Sequence, residues 1–546
     1  MGTRIHLYAV PGLPLHVEDL MPQSLLARCA GALAAHGNAP LVIDTGSVDG
    51  LEGSETAAYR TELEEARTHR SRWQATLGIQ RRGESRALAR FGTARTERIV
   101  AELPDDDRPA LSVIQIRRHK DVRDARRLGR LLRARFSETC IAVAGEFVND
   151  YARLLLAGAP EFDVACVGPA ESVLSGLARS LGARRNWEHI PGLIFRSGGQ
   201  LAAGSLGMRP LAPDFAPSNY HPSAYPGLLD GGKIRLFTLP QSTGAAHVGH
   251  YRGGTLQQPV HVRDARQLRA EMMQLHELYG ACAFHIAGEH TPRDAVAHLA
   301  GECMSLPFDA VYSRDAHVAE VDEELLCGLA HSGCRAVNFS LLTGSQRLLS
   351  DFYGEDWTIS EAEAGLRACR ASGLYVHTDF VFPCPADDYH SRSETFRLLR
   401  RCQPDSADFS PPALPPGSAW RQHPAEFGFG VSARRLGAWI SNLAPPAELP
   451  YMIGSLGGRA AAAKIQEALS EMDELGIGRA PGAAAGLMAW MAGWSAPFPA
   501  GLTRSLAELD LAGLHEIIET FNVGATASID AAGLSPGATM RKAVGD

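Results

Sequence analysis

Residues 233–254 read KIRLFTLPQSTGAAHVGHYRGG, and the reading of this stretch decides the fold around it. KIRLFTL is a continuous apolar run of strand type. It breaks at Pro240 into a loop rich in Gly, Ala and Ser. The loop carries Thr243, His247 and His250, with three residues between the first two and two between the second pair. A strand that runs into such a loop opens a β/α unit, with the loop at the strand's carboxyl end.

Toward the carboxyl terminus the same rhythm repeats. Helical spacing over 262–279 leads to the strand ACAFHIAG (281–288), and 292–304 leads to FDAVYSR (308–314). A helix over 322–333 stops at Gly333 before RAVNFSL (335–341). A helix capped by Thr358 precedes LYVHTDFVF (374–382), and a helix over 390–402 precedes DSADFSPP (405–412). Six such units predict a partial (β/α)6 TIM-type barrel over 233–415, with chemistry at the carboxyl ends of its strands. Residues 416–546 read as a helical C-terminal domain, clearest over 457–478. AGLMAWMAGWSAPFP (485–499) reads as packing rather than a substrate box.

Toward the amino terminus, IHLYAV (5–10), LVIDTG (41–46), ALSVIQI (110–116), CIAVAGE (140–146) and DVACVGP (163–169) are apolar strands separated by helical patterns at 21–36, 121–136, 148–157 and 170–182. Continuously apolar strands joined by helices indicate a parallel sheet covered on both faces. Residues 1–195 are thus expected to form a Rossmann-like domain that binds ligands beyond its strand ends. Residues 53–92 are a charged helical insertion, a solvent-facing hairpin or a lid. Residues 196–232, rich in Pro, Gly, Ser and Asn, read as a linker.

Bulk properties narrow the function. A chain of 546 residues needs more than one core, and 45% hydrophobic with 21% charged residues is ordinary for a globular protein. A net charge of −8 argues against nucleic acid as a partner. The basic run Arg117–Arg135 reads as a solvated helix face. Neither a signal peptide nor a bilayer-length apolar run is legible, so a cytoplasmic protein with reduced thiols is expected. None of the ten cysteines forms a CxxC or CxxxC pair.

In their order along the chain, several phrases resemble the cobalamin-binding radical-SAM superfamily. LPLHVEDLMPQSLLARCAGALAAHG resembles that family's opening loop and first helix. IAVAGEFVNDYARLLLAGAPEFDVACVGPAESVLSGLA and HIPGLIFRSGGQL resemble its next segments. In the barrel, DEELLCGLAHSGCRAVNFSLLTGSQRLL and ASGLYVHTDFVFPCP are similar to further family phrases. The resemblance implies a Rossmann-like cobalamin-binding domain, a partial barrel and a cobalamin-dependent enzyme of small-molecule or natural-product biosynthesis. It also implies a CxxxCxxC motif after the first barrel strand, where this chain has Thr243, His247 and His250. The acidic residue of the family's ESGSQ is Leu342, and its Gly-Gly-Glu element is Ala287-Gly288-Glu289-His290. Without the thiolates, no [4Fe-4S] cluster is expected, SAM binding is doubtful and reductive SAM cleavage is not expected. Methyl transfer or cobalt-centred redox chemistry remains. A cobalamin-binding scaffold without activity is the alternative.

The resemblance and the strand ends together nominate Pro11, Glu18, Asp19, Gln115, Gly145, Glu146, Asn149, Gly168 and Glu171 for cobalamin. His247 and His250 stand open to three readings: loop residues left by drift, ligands of another metal in a non-haem enzyme, or groups acting on substrate or corrin. Any third metal ligand would come from His285, Glu289 or His290. His285 and Glu289, at a barrel strand end, are further catalytic candidates. Asn338, Ser340, His377, Asp379 and Ser410 recur on otherwise apolar strands and suggest a polar lumen for a small-molecule substrate. Tyr312, Arg314 and Asp315 end another strand and are further candidates.

Overall fold

The computed structural model describes all residues except 1, 69–78, 182–186, 205–215, 230–231, 246–248, 254–258, 441–448, 480–482, 492–504, 507 and 527–546. His247, parts of the 53–92 insertion and of the 196–232 linker, and much of the carboxyl-terminal region lie outside the described residues. The chain divides into two compact units, 1–233 with 440–442 and 501–518, and 234–439 with 443–500 and 519–546. The region expected to make a third domain is thus shared between the two. No described helix is long and apolar enough to cross a membrane.

In the first unit the strands are β1 (Arg4–Ala9), β2 (Ala39–Asp44), β3 (Leu111–Gln115), β4 (Cys140–Ala144), β5 (Val164–Cys166), β6 (Leu193–Ser197) and β7 (Gln200–Ala203). They form one sheet in the order β2-β1-β3-β4-β5-β6-β7. The first five are parallel, and β6 and β7 add an antiparallel edge. β3, β4 and β5 are buried at every position, as strands covered on both faces must be. The chain leaves β1 first to one side and then to the other, so the topological switch point falls between β1 and β3.

Among the described residues, the insertion contributes two helices, Ser54–Thr68 and Ile79–Ala101, which pack on each other. It is anchored rather than solvent-facing throughout. Phe91 and Arg95 are buried, and the Arg95 guanidinium donates to the Pro11 carbonyl at 2.8 Å and the Thr45 carbonyl at 2.7 Å.

The second unit contains β8 (Leu236–Pro240), β9 (Ser242–Thr243), β10 (His261–Val262), β11 (Ala283–Ala287), β12 (Val311–Ala316), β13 (Cys334–Leu342), β14 (Tyr375–Val381), β15 (Ser406–Ser410), β16 (Phe429–Val431), β17 (Tyr451–Ile453) and β18 (Gly478–Arg479). Its main sheet runs β18-β15-β14-β13-β12-β11-β8, parallel throughout, with β8 and β18 as edges. The six expected strands are present, and β18 is a seventh. Local sequence sets the helix boundaries. Thr358 and Glu361 close a capping box, Asp322 accepts from the Leu325 amide at 2.9 Å, and Gly280 ends its helix at φ 64°.

Candidate functional site

Residues that pair directly across parallel strands point to the same face. The register of the barrel therefore sorts its side chains. Thr238, His285 and Ser313 pair across β8, β11 and β12. Asp315, Asn338, His377 and Ser406 pair across β12 to β15, and Ser340, Asp379 and Asp408 follow one step further on. This is the inner face. The opposite row packs on the surrounding helices: Tyr312 bonds Ser332 at 2.7 Å, and Phe409 stacks with Phe396 of the helix Tyr389–Cys402. Tyr312 and Arg314 belong to that outer row, while Asp315 faces inward.

The helix Ala483–Met491 packs across β11 to β14, and Gly486 lies against Ala336 and Tyr375 near the amino ends of β13 and β14. The described part of the apolar 485–499 stretch is therefore packing, and the polar positions are left at the carboxyl half.

Two similar triplets occupy that half. His285 Nδ1 lies 2.9 Å from Ser313 Oγ, and its Nε2 lies 3.7 Å from Asp315. His377 Nδ1 lies 2.8 Å from Ser406 Oγ, and its Nε2 lies 3.1 Å from Asp379. A nucleophilic triad needs the serine on Nε2 and exposed. Here both serines sit on Nδ1 and are buried, so the triplets orient carboxylates and do not build a hydrolase. Asn338 Nδ2 donates to Asp315 Oδ1 at 3.3 Å, and the inward-facing Asp315 is held below the usual carboxylate range by His285 and Asn338 against the cost of burial.

Glu289 follows β11 and belongs to a second cluster. Arg252 lies 3.6 Å from Glu289 and 3.7 Å from Glu355, and donates to Tyr251 Oη at 2.8 Å. Tyr251 in turn donates to Glu355 at 2.9 Å, and His290 Nε2 is 2.5 Å from Arg252. Burial pushes the Glu289 carboxyl up to about 7, with Arg252 opposing and Asp315 and Glu355 adding to it. His250 directly precedes this cluster's Tyr251 and Arg252. Its Nδ1 is 3.2 Å from the Phe352 carbonyl, its ring packs on Phe427, and Gly354 leaves room for it. Thr243 is in β9, paired with His261. Among the described residues, no group of three or more His, Cys, Asp or Glu is arranged to hold a metal ion.

At the switch point of the first unit, the loops after β1 and β3 are cross-linked by charge. Buried Asp19 lies 2.5 Å from Lys120 and 3.2 Å from Arg117, and these cations hold its carboxyl down against burial. Glu18 pairs with Arg118, and Asp121 accepts from the Gly12 amide at 2.9 Å. Gln115 ends β3 buried, and its Oε1 has no hydrogen-bond partner among the described residues. Gly145 and Gly168 follow β4 and β5 at φ 122° and 93°, and a Cβ on Gly145 would lie 2.5 Å from the Ile116 carbonyl oxygen. Asn149 accepts from the Gly168 amide at 2.9 Å, and Glu146 is exposed. Glu171 is buried and ion-paired with Arg28 at 2.8 Å, and its Oε2 has no hydrogen-bond partner among the described residues. Asp408, Ser313, Ser406, Arg252 and Glu355 were not singled out in the sequence. The i, i+2 alternation of DSADFS was the available signal for Ser406 and Asp408.

The two units define an α/β protein with a flavodoxin-like strand order followed by an open β/α barrel. No protein-family model matches the chain. The radical-SAM methyltransferase TsrM from Kitasatospora setae, solved with cobalamin and a [4Fe-4S] cluster bound, superposes with a TM-score of 0.62 at 15% identity, covering 95% of this chain and 99% of that one. The cobalamin-dependent SAM radical enzyme OxsB, solved in its apo form, superposes with a TM-score of 0.55 at 13% identity over 78% of this chain and 56% of that one. Cytidylyl-2-hydroxyethylphosphonate methyltransferase of Streptomyces wedmorensis is 26% identical over 128 residues, 22% of this chain, and the match spans only 23% of that relative. The chain therefore has the fold of the cobalamin-dependent radical-SAM proteins, as its motifs lead one to expect.

Proposed function

We propose that this chain is a cobalamin-dependent enzyme of small-molecule biosynthesis, built on a radical-SAM-like fold and working without a thiolate-held [4Fe-4S] cluster. Methyl transfer is the reaction that the methyltransferases sharing its fold support. Bound cobalamin would supply cobalt-centred group-transfer chemistry.

The observation that carries the cofactor assignment is the switch point. Gln115 presents a buried acceptor without a partner among the described residues, and Gly145 and Gly168 turn the chain with positive φ at the neighbouring strand ends, where no side chain stands in the way. A corrin rimmed with amide side chains suits such a surface, because its N–H groups satisfy the orphan acceptor. Glu146, Asn149, Pro11 and Glu18 border the same loops, and the Asp19–Lys120–Arg117 network fixes their shape. Glu171 acts through Arg28 on the packing of the helix Ser24–Ala35.

The donor set after β8 does not suit an iron–sulfur cluster. Thr243, His247 and His250 supply no thiolate, and three thiolates are what holds three irons of such a cluster. Reductive cleavage of SAM is accordingly left out of the proposed chemistry. His285, His377 and their aspartates orient substrate in the barrel, and Glu289, with a carboxyl near 7, is the group best suited to exchange a proton at neutral pH. An inert scaffold would have no use for this polar row.

The test is a titration of the purified full chain with hydroxocobalamin, followed in the visible spectrum. Saturable binding is expected, weakened about threefold to tenfold in Gln115→Ala, the worth of one hydrogen bond. An absence of binding to wild-type protein would sink the proposal.

A further inference from the structure

Among the described residues, the carboxylates on the inner row of the barrel face imidazoles, and no Lys or Arg stands on that row. Asp379 and Asp408 are register partners on β14 and β15, and strands stand about 5 Å apart. Like charges placed directly opposite each other repel. The Asp408 carboxyl is pushed up, first by burial and further by Asp379. Asp315 adds a third carboxylate in the same face. The other inward register positions of β8 and β11 to β15 carry no Lys or Arg; their polar members include His285, Ser313, Asn338, His377, Ser406 and Ser410.

A second observation is independent of the charges. Asn338 is only 9% exposed and is register-paired with Asp315 on one side and His377 on the other. Its Nδ2 is used on Asp315, and its Oδ1 has no hydrogen-bond partner among the described residues. A buried acceptor left unmade is destabilising, so it marks a place where a donor is missing. Carboxylates and an orphan amide oxygen ask for the same partner, one rich in N–H and positively charged. An ammonium group has three donors, one charge and no acceptor. A metal ion is the poorer match, because no three described ligands converge on one point.

We infer that the barrel takes a substrate carrying a protonated primary amine, which Asp379 and Asp408 receive, with the Asn338 carbonyl one register step below as a further acceptor for the substrate's donors. This inference rests on the reading of the barrel as the substrate site of the proposed enzyme. His377 is a positioning residue: Ser406 fixes its Nδ1, and its Nε2 turns toward Asp379.

The experiment is calorimetric titration of the full chain, with and without hydroxocobalamin and with EDTA present. The probes are butylamine, phenethylamine and putrescine, against butanol, 2-phenylethanol and 3-phenylpropionate, with SAM as a further arm. At least one amine is expected to bind more tightly than its uncharged partner by about tenfold or more, and Asp379→Asn and Asp408→Asn should each remove that preference. The near-isosteric asparagines preserve shape, and a thermal melt of each variant checks that they fold. Equal binding of amine and alcohol, preference for the carboxylate, no binding of any amine, or amine binding unchanged in both variants would each overturn the inference. SAM binding that depends on the two aspartates, with no amine bound, would also overturn it by giving the site to SAM. Amine selectivity in a chain that binds no cobalamin would leave this inference standing and defeat only the cofactor reading.

Discussion

The two strand-end regions solve opposite problems. At the switch point of the first unit every carboxylate of the β1 loop has a cation: Asp19 has Lys120 and Arg117, and Glu18 has Arg118. Beside these pairs the switch point offers a ligand the orphan amide oxygen of Gln115, an Arg118 Nη1 with no hydrogen-bond partner among the described residues, and the exposed Glu146. The barrel does the reverse. Among the described residues, its inner carboxylates meet imidazoles, serines and an asparagine, and the strand positions facing them carry no Lys or Arg. A site that neutralises itself suits a large, amide-rich cofactor held by shape. One that leaves its charge open suits a small ligand that brings the countercharge.

The sharpest way to break the comparison is to remove the self-neutralisation. Asp19→Ala strands Lys120 and Arg117 together and frees the His16 amide that Asp19 caps at 2.8 Å. Breaking a buried ion pair on one side costs about 3–5 kcal/mol, readable in urea unfolding. A loss under about 1 kcal/mol would mean that the loop is not fixed by this network.

Next in size is the glycine that follows β4. Gly145→Val forces a β-branched residue to φ 122° and sets its Cβ against the Ile116 carbonyl. A strain of about 1–3 kcal/mol is expected in unfolding, with cobalamin binding lost and amine binding in the barrel retained. Loss of both would show that the regions do not act separately.

A pH series sharpens the charge side. The Glu289 carboxyl is raised from 4.5 to about 7, so the fold favours its protonated form. That contribution is fully present below pH 4.5 and is lost as pH rises through about 7. Glu289→Gln stays neutral throughout, so its melting temperature should rise relative to wild type between about pH 5 and 8. A parallel pair of curves would contradict the assignment.

The smallest effect belongs to exposed pairs. Lys464 and Glu467 are 3.0 Å apart on the helix Gly458–Glu474, with side chains about half exposed at 45% and 52%. Lys464→Ala should change stability by less than about 1 kcal/mol and leave both sites untouched.

Much of this was legible in the sequence. Strands buried on both faces are continuous apolar runs, so β1 to β5 and the six main barrel strands declared themselves, and the caps at Thr358 and Gly333 marked helix ends. Period two in the strands also exposed the polar row, since His285 alternates with Phe284 and His377 with Thr378. The rest depended on long-range facts. β18 is two residues long and has no periodicity to detect. Glu171 follows a strand end, but its ion-pair partner Arg28 is 143 residues away and was not legible locally. Arg95 lies just past the 53–92 insertion, read as a solvent-facing hairpin or a lid, and only the fold brings it to Pro11. Asp408 was hidden for the same reason: its importance comes from Asp379 on the neighbouring strand.

The central claim is a cobalamin enzyme without a thiolate-held cluster, and metal content tests it most directly. Protein purified anaerobically from cells supplied with cobalamin and iron should carry about one cobalt per chain, show corrin bands, and hold no stoichiometric iron or acid-labile sulfide. Four irons and four sulfides per chain, or a cluster alone with no cobalt, would contradict the account.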